Sequence, residues 1–375
     1  MISAAGALPE RDFVAEVTSL FTEDPDIDEI GIIHLDDDHD TFVLDEHKLG
    51  IAMSKIPAIH RQAKTSFFHA NKFNDVDGIL KASRCMLLVC ADFYTAWNAR
   101  KTLISQGIVT EEAEMKFSRL ILTHHAKSID TWAHRRWVLQ RLVPRLEGDN
   151  LAPFLARELS LCAKLCEEFP RNYFAWSYRY CICTKLPLPL LLTEFHDTSR
   201  TWCQRHLSDS SAWNLRLLVL LLLLPRVAQP LAVVADELAA HSRLQTMYPD
   251  RDALWCHRRA LLKIAASQLS IRSPAVWSTD TTLPNFEWTS ATAVDAFIRR
   301  EVQFSADVGT AGALRYALFG LDWILKREDR HTLPPRVTEW HAETCRRLSI
   351  ADAIRAQFWL GRLTSDQRSA ESTTP

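Results

Sequence analysis

The chain has 375 residues, of which 44 are Lys or Arg and 46 are Asp or Glu, for a formal net charge of −2. This balance offers no basic surface for a phosphate backbone, so we expect no nucleic-acid partner. The length allows one elongated repeat array or about two ordinary domains. Ten glycines are few for a sheet with many tight turns and favour helices joined by short polar connections.

The N-terminal segment, residues 1–74, contains two short β-favouring runs, Ile30–Leu35 and Thr41–Leu44. The acidic sequence DDDHD at 36–40 separates them, and we predict a small hairpin around it. A calcium loop is the alternative for this acidic cluster, but the cluster lacks the EF-hand register and a closing glutamate, which favours a solvated turn. From Leu49 to Phe73 the pattern predicts a helix. The first residues show no signal-peptide pattern.

A tryptophan motif recurs five times within residues 75–269, at steps of 35, 44, 37 and 42 residues. An arginine follows each tryptophan by three residues and an apolar residue follows it by seven, so the three lie on one face of a helix. A period of about 20 to 50 residues indicates helical hairpins that stack to bury their apolar faces. The copies are Trp97, Arg100 and Ile104; Trp132, Arg135 and Leu139; Trp176, Arg179 and Cys183; Trp213, Arg216 and Leu220; Trp255, Arg258 and Leu262.

A short polar turn precedes each of these helices. Asp, Asn and Ser in the turns can accept hydrogen bonds from the first free N–H groups of the helix, which fixes where the helix begins. The sequence therefore predicts an all-α fold, a right-handed solenoid or crescent of stacked helical hairpins similar to tetratricopeptide repeats. The predicted turns are Asp92–Thr95, Lys127–Asp130, Pro170–Tyr173, Ser208–Ser211 and Pro249–Asp252.

The tryptophan motif ends after the fifth copy. Residues 270–290 contain Pro274, Pro284 and a run of Ser and Thr, which predicts a linker. Residues 291–363 show further helical patterns, and residues 364–375 are too polar to order themselves, which predicts a disordered tail. The apolar run Leu217–Leu224 spans eight residues, whereas a membrane helix needs about 20, so we expect no membrane span.

The nine cysteines are scattered, with no pair at the spacing of a structural zinc site. Several lie on apolar stripes, where free cysteine acts as a small hydrophobe, so we expect a reducing, cytoplasmic location. We interpret the repeat tryptophans as core residues, with the arginine stems along the rings and the charged heads paired or solvated. Arg136 and Arg259 could bind phosphate, although a solvated face is favoured for both.

No nucleophile with a base, no phosphate-binding glycine loop and no metal cluster can be assembled from these residues. Considered alone, they predict a scaffold whose catalytic equipment, if any, lies on another chain. A non-enzymatic adaptor or peptide-binding solenoid is one form that such a scaffold can take.

Several segments resemble the protein prenyltransferase alpha-subunit family. They are AKSIDTWAHRRWVLQRL at 126–142, PRNYFAWSYRY at 170–180, DFYTAWNARKTLI at 92–104 and ALWCHRRALL at 253–262, with IDEIGII at 27–33 and LDEHKLG at 44–50. The resemblance implies an alpha-type subunit that is inactive alone and binds no cofactor itself. Its beta subunit, most closely that of Rab geranylgeranyltransferase, would hold the catalytic zinc. Geranylgeranyl diphosphate would be the co-substrate, and proteins with C-terminal cysteines would be the acceptors.

The resemblance also assigns site residues. Lys127 matches a family lysine that reaches the isoprenoid diphosphate, where a cation would stabilise the charge that grows on the leaving group. A solvated turn lysine is the other interpretation of Lys127. Asn172 and Tyr173 match family residues that approach the active site, and Arg136 is the candidate for phosphate binding. Ile129 and Phe174 stand where the family has tyrosine and histidine, which implies a changed substrate preference or the loss of a direct catalytic contribution.

Overall fold

The computed structural model describes residues 11–35, 40–146, 150–271, 301–305, 307–327 and 335–363. The chain divides into two compact units, Met1–Leu186 and Pro187–Pro375. Most of the acidic turn, nearly all of the predicted linker 270–290 and the whole predicted tail 364–375 lie outside the described residues, so these three remain predictions.

In the first unit, a helix α1 (Phe13–Glu23) and a three-stranded sheet precede the repeats. The strands are β1 (Glu29–Ile33), β2 (Phe42–Asp45) and β3 (Lys48–Ala52), in the order β1-β3-β2. Strand β1 runs parallel to β3, and β2 runs antiparallel to β3. The hairpin joins β2 to β3 through Glu46 and His47, whose φ angles of 41° and 65° are both positive, as a two-residue type I′ turn requires.

The structure corrects the predicted strand pairing in this segment and the predicted start of its helix. The two β-favouring runs form strands, but they do not pair with each other, because β3 lies between them. The pattern from Leu49 predicted a helix, whereas Lys48–Ala52 is a strand and the helix begins at Ile56. Helix and strand periodicities are hard to distinguish in so short an apolar run. The turn that decides the pairing is Glu-His, which lacks the Asn-Gly signal of a hairpin.

The helices of both units form the predicted hairpins, so the all-α repeat fold is confirmed. In the first unit they are α2 (Ile56–Lys72), α3 (Val76–Val89), α4 (Tyr94–Ser105), α5 (Glu111–His124), α6 (Ile129–Leu142), α7 (Leu151–Glu168) and α8 (Tyr173–Cys183). In the second unit, α9 (Leu188–Thr193), a π-helical stretch Glu194–Ser199 and α10 (Arg200–Arg205) precede α11 (Ser210–Leu223). They are followed by α12 (Pro230–Met247), α13 (Asp252–Ile271), α14 (301–305), α15 (Ala311–Arg327), α16 (Pro335–Ala351) and α17 (Ala356–Leu360).

The tryptophans lie in the second helices of their hairpins, and all five are buried, as predicted. The indole N–H of Trp132 donates to the carbonyl of Ala126, six residues earlier, at 2.8 Å. The same bond closes the turns before α4, α11 and α13. These four indoles therefore fill the core and also fix the turns that lead into their helices, because a buried carbonyl needs a donor.

In four copies of the motif the arginine joins neighbouring hairpins. On α6, Nε and Nη2 of Arg135 donate to the two carboxylate oxygens of Glu158 at 2.9 and 2.6 Å, and Nη1 donates to Ser118 Oγ at 2.8 Å. Ser118 belongs to the same hairpin as Arg135, and Glu158 to the next one. The head group is paired and buried, which decides between the two alternatives left by the sequence. The same arrangement joins Arg100 to Ser83 and Glu114, Arg216 to Ser199 and Glu237, and Arg258 to Ser242 and Glu301.

For two of these buried carboxylates, Glu114 and Glu237, the partners more than compensate for the effect of burial on the pKa. Burial acts to raise the pKa of Glu114, but the charge of Arg100 and the hydrogen bond from His134 bring that pKa down to about 2. His134 Nε2 lies 2.8 Å from Glu114 Oε1. In the second unit His257 Nε2 lies 3.1 Å from Glu237 Oε1, and the pKa of Glu237 is likewise lowered.

The second unit contains one more hairpin that lacks the motif. The hydroxyl of Tyr316 on α15 donates to Glu301 of α14 at 2.7 Å, as Tyr178 does to Glu158 in the third hairpin. Leu314 stands where the other copies have tryptophan, and it is buried. The repeat therefore continues into the predicted C-terminal helices, and the sequence motif missed it because leucine replaced the indole.

Replacing Arg135 with leucine should lower the free energy of unfolding by about 3 to 5 kcal/mol, because the Glu158 carboxylate would be buried without its cation. Urea unfolding followed by circular dichroism measures this loss. Lys81→Ala is the control, since it removes an exposed ion pair with Asp77 and should change stability by less than about 1 kcal/mol. Similar losses in the two variants would contradict a structural role for the buried bridges.

Stability should also depend on pH through His241 on α12. Burial, and then the charges of His257 and Arg258, lower the pKa of His241 well below its usual value, so the folded protein keeps this ring neutral. Below the unfolded pKa of about 6.5 only the unfolded chain takes up the proton. This contribution to stability is present above that pH and is lost as the pH falls, by about 1.4 kcal/mol per pH unit.

The measurement is urea unfolding at several pH values from 7.5 down to 5. His241→Leu should make the fall in unfolding free energy shallower, whereas His69→Leu, at an exposed histidine of α2, should leave it unchanged. A fall of the same steepness in His241→Leu and the unchanged protein would contradict this assignment.

Candidate functional site

The second helices α4, α6 and α8 pack side by side in the first unit. Their first residues, Tyr94, Ile129 and Tyr173, are large and apolar, yet they remain 65, 59 and 61 % exposed. We call these three residues the first-turn row. A row of exposed apolar side chains at equivalent positions marks a surface for a partner or ligand. Apolar residues exposed singly would not recur at the same position in three successive hairpins.

Lys127 lies at this surface, in the turn before α6. Its ammonium donates to the carbonyl of Pro170, in the turn before α8, at 3.0 Å. An ammonium has three donors, and the other two have no partner among the residues that the structure describes. The turn of one hairpin thus positions the cation of its neighbour and leaves it able to bind an anion.

Asn172 lies in the interior and joins the same two hairpins. Its Nδ2 donates to the carbonyl of Ala126 at 2.8 Å, and its Oδ1 accepts from the N–H of Ala175 at 3.2 Å. The carbonyl of Ala126 also accepts the indole N–H of Trp132. The buried amide of Asn172 therefore caps α8 and fixes the turn that carries Lys127, which makes it a positioning residue for this surface.

Tyr173 follows Asn172 on the exposed side. Its ring meets the Phe174 ring edge-on, with centroids 5.7 Å apart. Its hydroxyl donates to no residue in the described part of the chain, so it can donate to a bound molecule. The structure thus separates two residues that the sequence assigned together, with Asn172 inside and Tyr173 at the surface.

Arg136 lies about two helical turns beyond the start of α6 and is half-buried. Its Nη2 donates to Ser177 Oγ on α8 at 3.0 Å. Its Nε is buried and has no hydrogen-bond partner within the described ranges. A guanidinium with a buried, unused N–H can bind an anion more readily than a fully solvated guanidinium can. Folding has already removed water from that N–H, so binding the anion does not have to. Arg259, the other phosphate candidate, is exposed on α13.

The sequence analysis missed an aromatic and cationic cluster on the same face of α4 and α6. The ammonium of Lys101 lies 5.9 Å from the ring centroid of Trp137 and 6.0 Å from that of Tyr94. The guanidinium of Arg141 lies over the same Trp137 ring at 4.9 Å. The first-turn row could have been found in the sequence. Aligning the copies on the repeat tryptophan places Tyr94, Ile129 and Tyr173 at one position, three residues before it.

The arrangement of these side chains can bind an anion and an apolar group. In the described residues, no group of three or more His, Cys, Asp or Glu side chains could hold a metal ion. None of the helices searched there is long and apolar enough to cross a bilayer.

Known proteins show similarity to this chain at three levels. The family description "Protein prenyltransferase alpha subunit repeat" matches residues 111–142 and 155–186. Protein prenyltransferase alpha subunit repeat-containing protein 1 of Danio rerio is 29 % identical over 300 residues, which cover 66 % of this chain and 70 % of that protein. The Homo sapiens protein of the same name is 28 % identical and covers 68 % of this chain and 79 % of its own length.

More distant relatives include a named transferase subunit and a solved structure. Geranylgeranyl transferase type-2 subunit alpha of Homo sapiens is 28 % identical over 232 residues, which cover 57 % of this chain but 39 % of that longer protein. A chain of the Candida albicans protein geranylgeranyltransferase-I complexed with GGPP is 15 % identical, with a TM-score of 0.58, and covers 88 % of this chain and 96 % of that chain. At that identity the likeness establishes the fold. The chain therefore contains segments that match the protein prenyltransferase alpha subunit repeat, and it is similar to the vertebrate repeat-containing protein 1.

Proposed function

We propose that this chain is the alpha-type subunit of a heterodimeric protein prenyltransferase. In this proposal it pairs with a beta subunit, that of Rab geranylgeranyltransferase being the first candidate. The pair transfers geranylgeranyl from its diphosphate to a C-terminal cysteine of a protein in the cytoplasm. The observation that carries the proposal is Lys127, whose ammonium the carbonyl of Pro170 positions beside the first-turn row.

The zinc and most of the isoprenoid pocket belong to the beta subunit in this proposal, and the zinc supplies activation of the acceptor thiolate. This chain contributes charge and position. As the bond to the isoprenoid breaks, negative charge grows on the diphosphate, and a fixed ammonium stabilises that charge more than it stabilises the ground state. Lys127 supplies the ammonium, while Arg136 offers an unused N–H to an anion.

A second candidate function is a non-enzymatic adaptor that binds a peptide. It draws support from Ile129 and Phe174, which are apolar where the resemblance implies a polar tyrosine and histidine. A surface with exposed Tyr94, Ile129 and Tyr173 suits an apolar peptide as well as a subunit. Size-exclusion chromatography separates the two candidates, because the adaptor should elute apart from the beta subunit and the enzyme subunit should elute with it.

The direct test is co-expression of the full chain with the candidate beta subunit, followed by an assay of labelled geranylgeranyl transfer to proteins that end in cysteine. We expect transfer by the purified pair and none by either chain alone. A stable pair that transfers nothing to any such substrate would refute the enzymatic proposal.

Lys127→Ala should lower the turnover of the pair by about a hundredfold, because a transition-state cation is lost. The free energy of unfolding should change by less than about 0.5 kcal/mol, since this side chain is exposed. Lys164→Ala, at an exposed lysine of α7, is the matched control and should leave both quantities unchanged. Unaltered turnover in Lys127→Ala would remove this residue from the site.

Asn172→Ala should act through stability instead. It removes a helix cap and a buried hydrogen bond, and we expect a loss of about 1 to 3 kcal/mol in the isolated chain. Asn172→Asp keeps the capping oxygen but turns an acceptor toward the carbonyl of Ala126, so it should remain destabilised. If Asn172→Asp is as stable as the unchanged chain, the bond to Ala126 contributes nothing.

A further inference from the structure

A cavity of about 350 Å³ opens in the first unit, and its lining includes none of the first-turn row. It lies among α1 and the segment that follows it, α3 and α5. Its apolar walls include Phe21, Ile27, Leu80 and Phe117. Three cations also line it, and no Asp or Glu does. The volume falls at the small end of the range for ligand sites, roughly 300 to 1,000 Å³.

The three cations differ in how they are paired. Arg100 is held by both carboxylate oxygens of Glu114 at 2.8 and 2.7 Å. The ammonium of Lys116 donates to Asp26 Oδ1 and to the carbonyl of Pro25, each at 2.7 Å. These two cations are already satisfied by the protein.

Arg84 is the exception. It is half-buried on α3, and its guanidinium makes neither a hydrogen bond nor an ion pair with any residue that the structure describes. The guanidinium lies over the face of the Phe21 ring, with Cζ 4.8 Å from the centroid. A guanidinium has five N–H donors in a planar fork, so this wall of the cavity carries strong donors that nothing else in the described chain uses.

The electrostatic environment makes this arrangement costly without a ligand. Burial and the charge of Arg100 lower the pKa of Arg84, and Glu114 opposes them. An anion that enters the cavity would supply the missing counter-charge in a partly desolvated place, where charge-assisted hydrogen bonds are strong. The surrounding walls would at the same time bury an apolar group of that molecule.

We propose that this cavity binds an apolar monocarboxylate, with the carboxylate on the guanidinium fork of Arg84 and the apolar body among Phe21, Leu80 and Phe117. A carboxylate matches the fork because two of its oxygens can accept parallel N–H bonds. Such a group can come from a free medium-chain acid or from the carboxy terminus of a peptide that ends in an apolar residue. The site does not depend on the proposed transferase function.

Isothermal titration calorimetry of the full chain with octanoate tests the proposal, with octanol and acetate as probes that each lack one half of the ligand. We expect saturable binding of octanoate with a stoichiometry of one. Octanol should bind at least about tenfold more weakly, and acetate should give no measurable heat. Absence of saturable octanoate binding up to millimolar concentrations would overturn the proposal.

Two variants identify the site. Arg84→Gln should weaken octanoate binding by about tenfold or more while leaving octanol binding nearly unchanged. Its matched control is Arg119→Gln, at an exposed arginine of α5, which should bind octanoate normally. Ala113→Phe should fill the cavity and abolish binding of both molecules while Arg84 remains. Unchanged octanoate affinity in either Arg84→Gln or Ala113→Phe would place the binding elsewhere and refute the assignment.

A pair of peptides distinguishes the two sources of the carboxylate. A short peptide that ends in leucine with a free carboxylate is compared with the same peptide as its terminal amide. Tighter binding of the free peptide than of octanoate, lost in the amide, would identify a chain terminus as the ligand. Binding of octanoate alone would identify a free acid, and either result supports the site.

Discussion

Within each unit, buried bidentate ion pairs join neighbouring hairpins at Arg100, Arg135, Arg216 and Arg258, and the packing of the described hairpins depends on them. One helix supplies an arginine, a serine of the same hairpin holds one end of the guanidinium, and a glutamate of the following hairpin holds the other. A hairpin with a polar stripe of this kind cannot be stable alone, because an unpaired buried charge costs several kcal/mol. The arginine therefore makes association with a neighbour obligatory.

The tryptophans hold the turns before their own helices, whereas the arginines connect one hairpin to the next. The indole N–H groups of Trp97, Trp132, Trp213 and Trp255 each bind the carbonyl six residues earlier. In two of these places a second donor from the next hairpin reaches the same carbonyl. These donors are Asn172 and Thr310, which cap the helices that follow them. The turn that presents Lys127 is thus fixed from two sides, so a surface cation is positioned by buried groups.

The sequence predicted the elements whose signal is local and missed those that depend on distant partners. Tryptophan and arginine at three-residue spacing indicated one helix face, and the hairpins were predicted correctly. The glutamates were not found, because the separation from arginine to glutamate is 14, 23, 21 and 43 residues in four hairpins and follows no period. The pairing of β1 with β3 and the inward position of Asn172 likewise depend on contacts across the fold. The cavity at Arg84 is distinguished by a guanidinium that has no hydrogen-bond or ion-pair partner in the described ranges, and sequence spacing cannot reveal such an absence.

The two contacts of the bridging arginine, to serine and to glutamate, differ in how strictly their sequence separation is kept. Toward its own serine the separation is 17, 17, 17 and 16 residues, whereas toward the glutamate it varies threefold. Added length between an arginine helix and the next glutamate helix leaves the pair intact, while added length inside a hairpin would move the serine out of reach. Evolution can therefore lengthen this protein on one side of every bridge and not on the other, and those permissive connections are where new recognition loops can be acquired without rebuilding the core.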